Sequence, residues 1–432
     1  LFPNKILTPL SFLKGSQAHI MNQKIVILGT VDTKGEQLRF LKERIASRGH
    51  DPILMDLSMG GHPGFQADIT PHEIAGLMGK NLEELTASRD RLSVTNLMTA
   101  GAQQKALELL STGSLHGIVA LGGATMALIG SQVMSKLPFG IPKVIATPAA
   151  MPVYVGRWFG ATDVIVMQLI MEIAGMNDLV KNALAQVAGA VCGMAEEAYD
   201  YRALKLPSPS IAVTEVGFSD QCAKYVEKLL TQKGYAVFPF HANGTSDRAM
   251  DRLIAQGFFD GVIEIVPAGL IEAKFKGNRA ADLERLDAAG QRGIPQVWAP
   301  CCLNLTGAGP TRTNREKYTA SGKVLNIDEM RAMARFPRDE LLIGARLYAE
   351  KINKAKGPLK LVVPLRGWSS LDREGSILYD PQEDRLLIEE LRRNLTVPLE
   401  IEEVDANLED FETAKALVDS LVQFMERERG GK

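Results

Sequence analysis

Residues 117–147 read Gly-Ile-Val-Ala-Leu-Gly-Gly-Ala-Thr-Met-Ala-Leu-Ile-Gly-Ser-Gln-Val-Met-Ser-Lys-Leu-Pro-Phe-Gly-Ile-Pro-Lys-Val-Ile-Ala-Thr. The apolar run Ile118–Leu121 feeds Gly122-Gly123 directly into a helical stretch from Ala124, and a Pro/Gly turn leads to a second apolar run. Strands buried on both faces of a parallel sheet read as such unbroken apolar runs. The segment is therefore a βαβ unit, with glycines at the strand end where a parallel sheet meets ligands. Backbone N–H groups left free at a helix amino terminus bind phosphate or carboxylate. The two glycines also read as a plain βα corner that needs positive φ.

The same alternation extends both ways. Lys24–Gly29 is a strand, Thr33–Arg48 a helix with Leu38, Leu41 and Ile45 on one face, and Pro52–Leu57 a strand. Thr70-Pro71-His72-Glu73 is a capping box with proline at the first helical position. Asn96–Ser111 is helical, Thr162–Met167 a strand, and Met171–Tyr199 a long helix rich in Ala and Gly. Leu206-Pro-Ser-Pro-Ser210 is a linker, after which the pattern restarts. Strands are expected at Ile211–Val216, Val237–His241, Gly261–Val266, Pro295–Ala299, Leu359–Pro364 and Val397–Glu402. Helices are expected at Ser219–Lys233, from Thr245, at Arg338–Lys354, from the cap Asp380-Pro381-Gln382-Glu383, and at Asp410–Arg427. Residues 301–325 read as loop.

Strands separated by helical segments of this length specify α/β architecture with mainly parallel sheets. We expect two doubly wound domains, residues 21–205 and 206–432. Residues 1–20 lack acidic residues and a signal-peptide pattern. They read as a tag or over-extended start before Met21, outside the fold.

The 432 residues, 46% hydrophobic and 23% charged, are ordinary for a soluble chain, and the net charge of −2 comes without a basic run. That composition argues against a duplex nucleic-acid footprint, and no stretch is apolar enough to span a membrane. The cysteines are Cys192, Cys222, Cys301 and Cys302. None forms a Cys-x-x-Cys pair, so neither a zinc site nor a disulfide framework is indicated, and the expected compartment is the cytoplasm.

Candidate chemistry gathers at strand ends. Gly29-Thr30-Val31-Asp32-Thr33-Lys34 follows the first strand. Its backbone and hydroxyls would hold phosphate, with Lys34 as a charge and Asp32 facing a metal or hydroxyl. Thr33-x-x-Glu36 alone also reads as a capping box. The segment is not a P-loop, and no Gly-x-Gly-x-x-Gly follows a strand. Gly122, Gly123 and Thr125 form the second candidate loop, and Asp163 would reach a cleft or end a turn. His241 stands at a strand end as a phosphate ligand or acid/base, before an Asn243-Gly244 turn. Gly307-Ala-Gly-Pro310 with Arg312 and Arg315 reads as an anion-binding loop or a solvated connection. Pro364–Ser370 is a further strand-end loop whose Trp368 packs on the domain or on a ligand. Cys301-Cys302 reads as buried and structural, since no neighbouring base or helix start marks a reactive thiol.

Together these segments resemble the family of the N-terminal ATP-binding domain of the tomato mosaic virus resistance protein and its bacterial homologues. The resemblance rests on Gly29-Thr-Val-Asp-Thr-Lys34, Glu36-x-Leu-Arg-Phe-Leu41, Leu121-Gly-Gly123, Leu137-Pro-Phe-Gly-Ile-Pro-Lys-Val-Ile145 and Gly160-Ala-Thr-Asp163. In the second half Phe240-His-Ala-Asn-Gly244, Arg248-Ala-Met-Asp251 and Tyr379-Asp-Pro381 continue it. It implies two Rossmann-like domains, ATP as ligand and a homodimer; the residues themselves offer no metal-ligand spacing, so no metal is expected. The plant domain is fused to a TIM-barrel-like domain, which makes a separate barrel protein an expected partner here. The chain departs from the family pattern at Gly122-Gly-Ala-Thr-Met-Ala127, Gly244-Thr-Ser-Asp247, Val266-Pro-Ala-Gly269, Tyr318–Gly322 and Arg335-Phe-Pro-Arg338. Lost hydroxyl and imidazole groups there remove charge-assisted hydrogen bonds worth about 1.5–3 kcal/mol each from a bound polyphosphate.

Two readings of function follow. In one the protein binds a nucleotide or phosphate over Gly29–Lys34 and Gly122–Thr125. In the other it is a metabolic enzyme for a small phosphorylated or carboxylate substrate, with His241, Asp163 and Arg312 as catalytic candidates. A non-catalytic binding subunit is the third possibility.

Overall fold

Ile25 and Ile27 face one way from the first strand and Val26 and Leu28 the other, and all four are fully buried. A strand covered on both faces belongs inside a three-layer α/β unit. The computed structural model describes residues 22–60, 64–150, 162–197, 205–309, 315–320 and 322–430. Two compact units divide between residues 203 and 204.

The first unit runs β1 (Lys24–Gly29), α1 (Val31–Ala46), β2 (Asp51–Asp56), α2 (Pro71–Leu77), α3 (Leu82–Ala87), α4 (Arg91–Ser111), β3 (Gly117–Leu121), α5 (Ala124–Met134), β4 (Lys143–Thr147), β5 (Ile165–Gln168) and α6 (Asp178–Glu197). The five strands are parallel, in the order β2-β1-β3-β4-β5. Leu38, Leu41, Leu184 and Val187 of α1 and α6 cover one face. Met98, Ile129 and Val133 of α4 and α5 cover the other. Each such side chain contributes on the order of 1.5–3 kcal/mol by leaving water.

The second unit runs β6 (Ser210–Glu215), α7 (Asp220–Gln232), β7 (Ala236–His241), α8 (Ser246–Ala255), β8 (Gly261–Glu264), α9 (Gly269–Lys274), α10 (Asp287–Arg292), β9 (Gln296–Trp298), β10 (Leu305–Gly307), α11 (Arg315–Thr319), β11 (Val324–Asn326), β12 (Ala332–Arg335), α12 (Arg338–Lys354), β13 (Leu359–Pro364), α13 (Pro381–Arg393), β14 (Glu400–Val404) and α14 (Phe411–Gly430). Six parallel strands lie in the order β14-β13-β9-β8-β6-β7. The fold is thus α/β with two mainly parallel sheets, as expected.

The loop expected at 301–325 is instead part of an antiparallel three-stranded sheet, β10-β12-β11. Its strands have three or four residues each, too few to show a period. The helix expected from Met171 starts at Asp178. Gly175 at φ +66 interrupts the chain before it, and Asn177 Oδ1 accepts from Val180 N at 3.0 Å to open the helix. Tyr199 lies outside the described residues, as do residues 1–20. The strand expected at Thr162–Met167 begins at Ile165, because Thr162 and Asp163 are engaged in a turn. The helix expected at Asn96 begins at Arg91, where Asp90 accepts from Ser93 N. The last strand is Glu400–Val404 rather than Val397–Glu402. Both caps read from sequence form: Thr70 and Glu73 close a reciprocal box, and the Asp380 side chain accepts from Glu383 N.

No described helix is long and apolar enough to cross a membrane. Among the described residues no cluster of three His, Cys, Asp or Glu side chains could hold a metal ion.

Candidate functional site

In the first unit the chain goes from β1 out to β2 and then returns to the other side of β1 with β3. The strand order reverses there, and the crevice beyond the carboxyl ends at such a point is where open α/β sheets bind ligands. Gly29–Lys34 and Gly122–Thr125 follow the two strands that flank it, so the topology brings both candidate loops together.

Their amino-terminal N–H groups differ in state. At α1, Val31 N donates to Asp56 Oδ1 at 3.0 Å and Asp32 N to Ser58 Oγ at 3.2 Å. Thr33 N and Lys34 N both donate to Thr30 O. The Thr30 and Thr33 hydroxyls pair at 2.6 Å, and Lys34 Nζ donates to Ile173 O at 2.7 Å. This turn is saturated by its own chain, apart from Asp32, whose Oδ1 is buried without a hydrogen-bond partner. The box read at Thr33-x-x-Glu36 does not form, because the helix begins earlier, with Thr30 as its N-cap and no side-chain cap.

At α5 no side chain caps the helix. Neither glycine takes positive φ, so the corner is not built for left-handed backbone. Gly122 is needed for another reason: a Cβ there would sit 2.7 Å from Met126 Cβ. Gly123, the N-cap, is extended at φ −74 and ψ −164, and a Cβ there would meet nothing within 4 Å. Thr125 in the first turn is exposed, and among the described residues no side chain closes this helix end.

Asp163 is not brought to these loops. It stands before β5, at the amino edge of the sheet, with Oδ1 2.6 Å from the fully buried Lys143 Nζ and Oδ2 accepting from Gly140 N at 2.6 Å. Lys143 Nζ also donates to the Pro138 and Ile141 carbonyls, so the pair clamps the turn into β4.

In the second unit His241 is exposed at the end of edge strand β7. Asn243 Oδ1 accepts from Thr245 N and Ser246 N and opens α8, which is the plain turn-and-cap arrangement. Gly244 has φ +87, and a Cβ there would lie 2.3 Å from Ala280 O. Gly244→Ala should therefore destabilise this unit by about 2–4 kcal/mol, combining left-handed strain with overpacking; urea midpoints within error of wild type would contradict that close approach. Arg312 and Pro310 lie outside the described residues. Trp368 is 2% exposed and its Nε1 donates to Pro364 O, so it packs on its own unit.

Three buried charge networks stand at the carboxyl ends of the second sheet. The fully buried Arg285 meets Asp251 Oδ1 at 2.9 Å, Glu264 Oε2 at 2.6 Å and Asp247 Oδ2 at 3.5 Å. Burial, aided by the Glu264 charge, pushes the Asp251 carboxyl up to about 7 against the pull of Arg285. In the second network Arg335 pairs with Asp384, and Asn304 Nδ2 donates to both Asp372 Oδ2 and Asp384 Oδ1. Burial and the Asp384 charge push Asp372 up to about 8. In the third, Cys301 and Cys302 are fully buried with sulfurs 3.7 Å apart, and Cys302 has φ +59. Arg279 donates to Glu272 Oε1 at 3.0 Å and to Leu305 O at 3.2 Å. A hydrogen bond from Cys301 and the Arg279 charge together pull the Cys302 thiol down to about 6, while burial holds Cys301 well above its usual range. The cysteines are buried, as expected, but a cation does neighbour them. Arg279 lies more than 20 residues away in the chain, so no local spacing could announce it. Asp247 and Asp251, four apart on α8, were a legible hint, since they share one helix face.

An α/β chain with switch-point loops of this kind matches an existing family. Residues 23–200 match the N-terminal domain, and residues 208–425 the C-terminal domain, of the uncharacterised protein family UPF0261. The chain belongs to that family. A UPF0261 protein of Clostridium tetani is 31% identical over 94% of this chain and 100% of its own length. A UPF0261 protein of Brucella suis is 28% identical over 90% of this chain and 93% of its own. The ToMV resistance protein Tm-1(GCR237) of Solanum lycopersicum is 28% identical over 94% of this chain, which spans 56% of the tomato protein. Among solved structures, a pyrethroid hydrolase from Sphingobium faniae JZ-2 is similar over 50% of this chain, at 13% identity and a TM-score of 0.28.

Proposed function

We propose that the first unit binds a nucleotide, with ATP as the leading candidate, and that its phosphates lie at the amino end of α5. The observation that carries this reading is the terminus of an eleven-residue helix, without a side-chain cap among the described residues, at the switch point of a parallel sheet. The saturated first turn of α1 narrows the reading: Gly122 N donates to Ala146 O, so Gly123–Thr125 supply the N–H groups, and Gly29–Lys34 forms the opposite wall.

Gly123→Val is a clean test. The extended backbone suits valine and the Cβ has room, so the fold should persist while the side chain covers the helix end. Calorimetry should show ATP binding weakened at least tenfold, with thermal stability unchanged. ATP affinity that survives the substitution would remove the phosphate from α5.

A further inference from the structure

We propose that a cavity of the first unit, beyond the carboxyl end of β2, is a nucleoside subsite that takes the ribose and flat base of the same ligand. The claim rests on the nucleotide reading only for where the phosphates go. The cavity has a volume of about 680 Å³, and Asp56, Ser58, Phe65, Pro71, Leu82 and Thr86 are among its lining residues.

Asp56 decides the chemistry. It is only 2% exposed. Its Oδ1 accepts from Val31 N at 3.0 Å, Ser58 N at 2.9 Å and Ser58 Oγ at 2.5 Å. Its Oδ2 has no hydrogen bond among the described residues. That oxygen is not sealed from solvent, so it keeps its lone pairs open to a donor that enters the cavity. Among the described residues no Lys or Arg lines the cavity. The other titratable groups in its described lining, Glu83 and His72, pair with each other at 3.1 Å on the exposed rim. A phosphate or carboxylate would meet an unneutralised acid here, whereas hydroxyl groups would meet an acceptor. Phe65, Pro71 and Leu82 supply apolar wall for a flat ring, and the Arg39 guanidinium stacks on Phe65, 4.6 Å from its ring centre.

The position fits as well. β2 and β3 are the two neighbours of β1. Parallel strands lie roughly 4.8 Å apart, so the ends of β2 and β3 are about 10 Å apart. A nucleotide spans such a distance from sugar to terminal phosphates. Asp56 therefore has two tasks: one oxygen closes the first turn of α1, and the other receives a ribose hydroxyl.

The test uses adenosine and inorganic triphosphate as separate probes in calorimetry on the full chain. Adenosine should bind wild type. Removal of one ribose hydroxyl, in 2′- or 3′-deoxyadenosine, should weaken binding at least tenfold. Asp56→Asn should do the same. Because Asp56 also supports α1, Thr86→Trp serves as an independent variant that fills the cavity from α3, and it should abolish adenosine binding. Triphosphate binding should be unchanged in both. Failure of adenosine to bind wild type, equal binding to both variants, or ribose binding as tightly as adenosine would overturn the subsite. Adenosine binding without triphosphate binding would leave the subsite standing and remove the phosphate site at α5.

Discussion

Arg285→Met should unfold or severely weaken the second unit, with a loss of about 3–5 kcal/mol in urea denaturation. The guanidinium is fully buried and is the shared counter-charge of Asp247, Asp251 and Glu264. Methionine fills much of the volume but leaves three acids in low dielectric with no cation among them. Glu264 also accepts from the Thr214 hydroxyl, whose oxygen in turn accepts from Val266 N, so the disturbance reaches the ends of β6 and β8. Arg285→Lys keeps the charge without the fork that serves several carboxylates at once, and should fall between the two. A methionine variant within about 0.5 kcal/mol of wild type, the range of a neutral surface change, would show that the acids are not held by this charge.

The second large effect is a pH dependence. Asp372 is raised to about 8 by burial and by Asp384. A carboxyl group raised on folding binds more protons in the native state than in the unfolded chain between roughly pH 4 and 8. Stability from this group is therefore present at low pH and lost as pH rises through the folded value, with a slope of up to about 1.4 kcal/mol per pH unit. Asp251, raised to about 7, adds a slope of the same sign between roughly pH 4 and 7. Asp372→Asn removes the titration; its Nδ2 would face the Asn304 amide that donates to Asp372 Oδ2, a loss that is the same at every pH and leaves the slope as the readout. Its carbonyl oxygen can still accept from Trp368 N, as Asp372 Oδ1 does at 2.7 Å. The variant should gain on wild type steadily from pH 5 to 8 when urea unfolding is followed at several pH values. Parallel curves for the two proteins would refute a protonated Asp372.

Local pattern made much of the architecture legible. Apolar runs marked β1, β3 and β13, and Arg338–Lys354 and Leu359–Pro364 coincide with their elements, because periodicity and capping involve residues a few positions apart. The antiparallel sheet β10-β12-β11 escaped, since its strands are too short to show alternation. The site was legible in half. Gly122-Gly123 could be seen at a strand end, and only the structure shows that Gly122 makes room for Met126 while Gly123 leaves the helix open. The sequence leaves Asp163 to reach a cleft or end a turn, and strand direction settles it for the turn, at the other edge of the sheet against Lys143.

Alone, then, the sequence determined two rounds of alternating strands and helices, with the caps at Thr70 and Asp380 and the glycine corner after β3. Tertiary structure decided the strand order, and with it which loops share a crevice. It also decided that Asp56, 25 residues beyond Val31, closes the first turn of α1, and that Arg285 gathers acids from α8 and β8. The reason is physical: hydrogen bonds and hydrophobic faces within one element follow a fixed period along the chain. A buried charge finds its partners across the sheet, at separations that no period encodes.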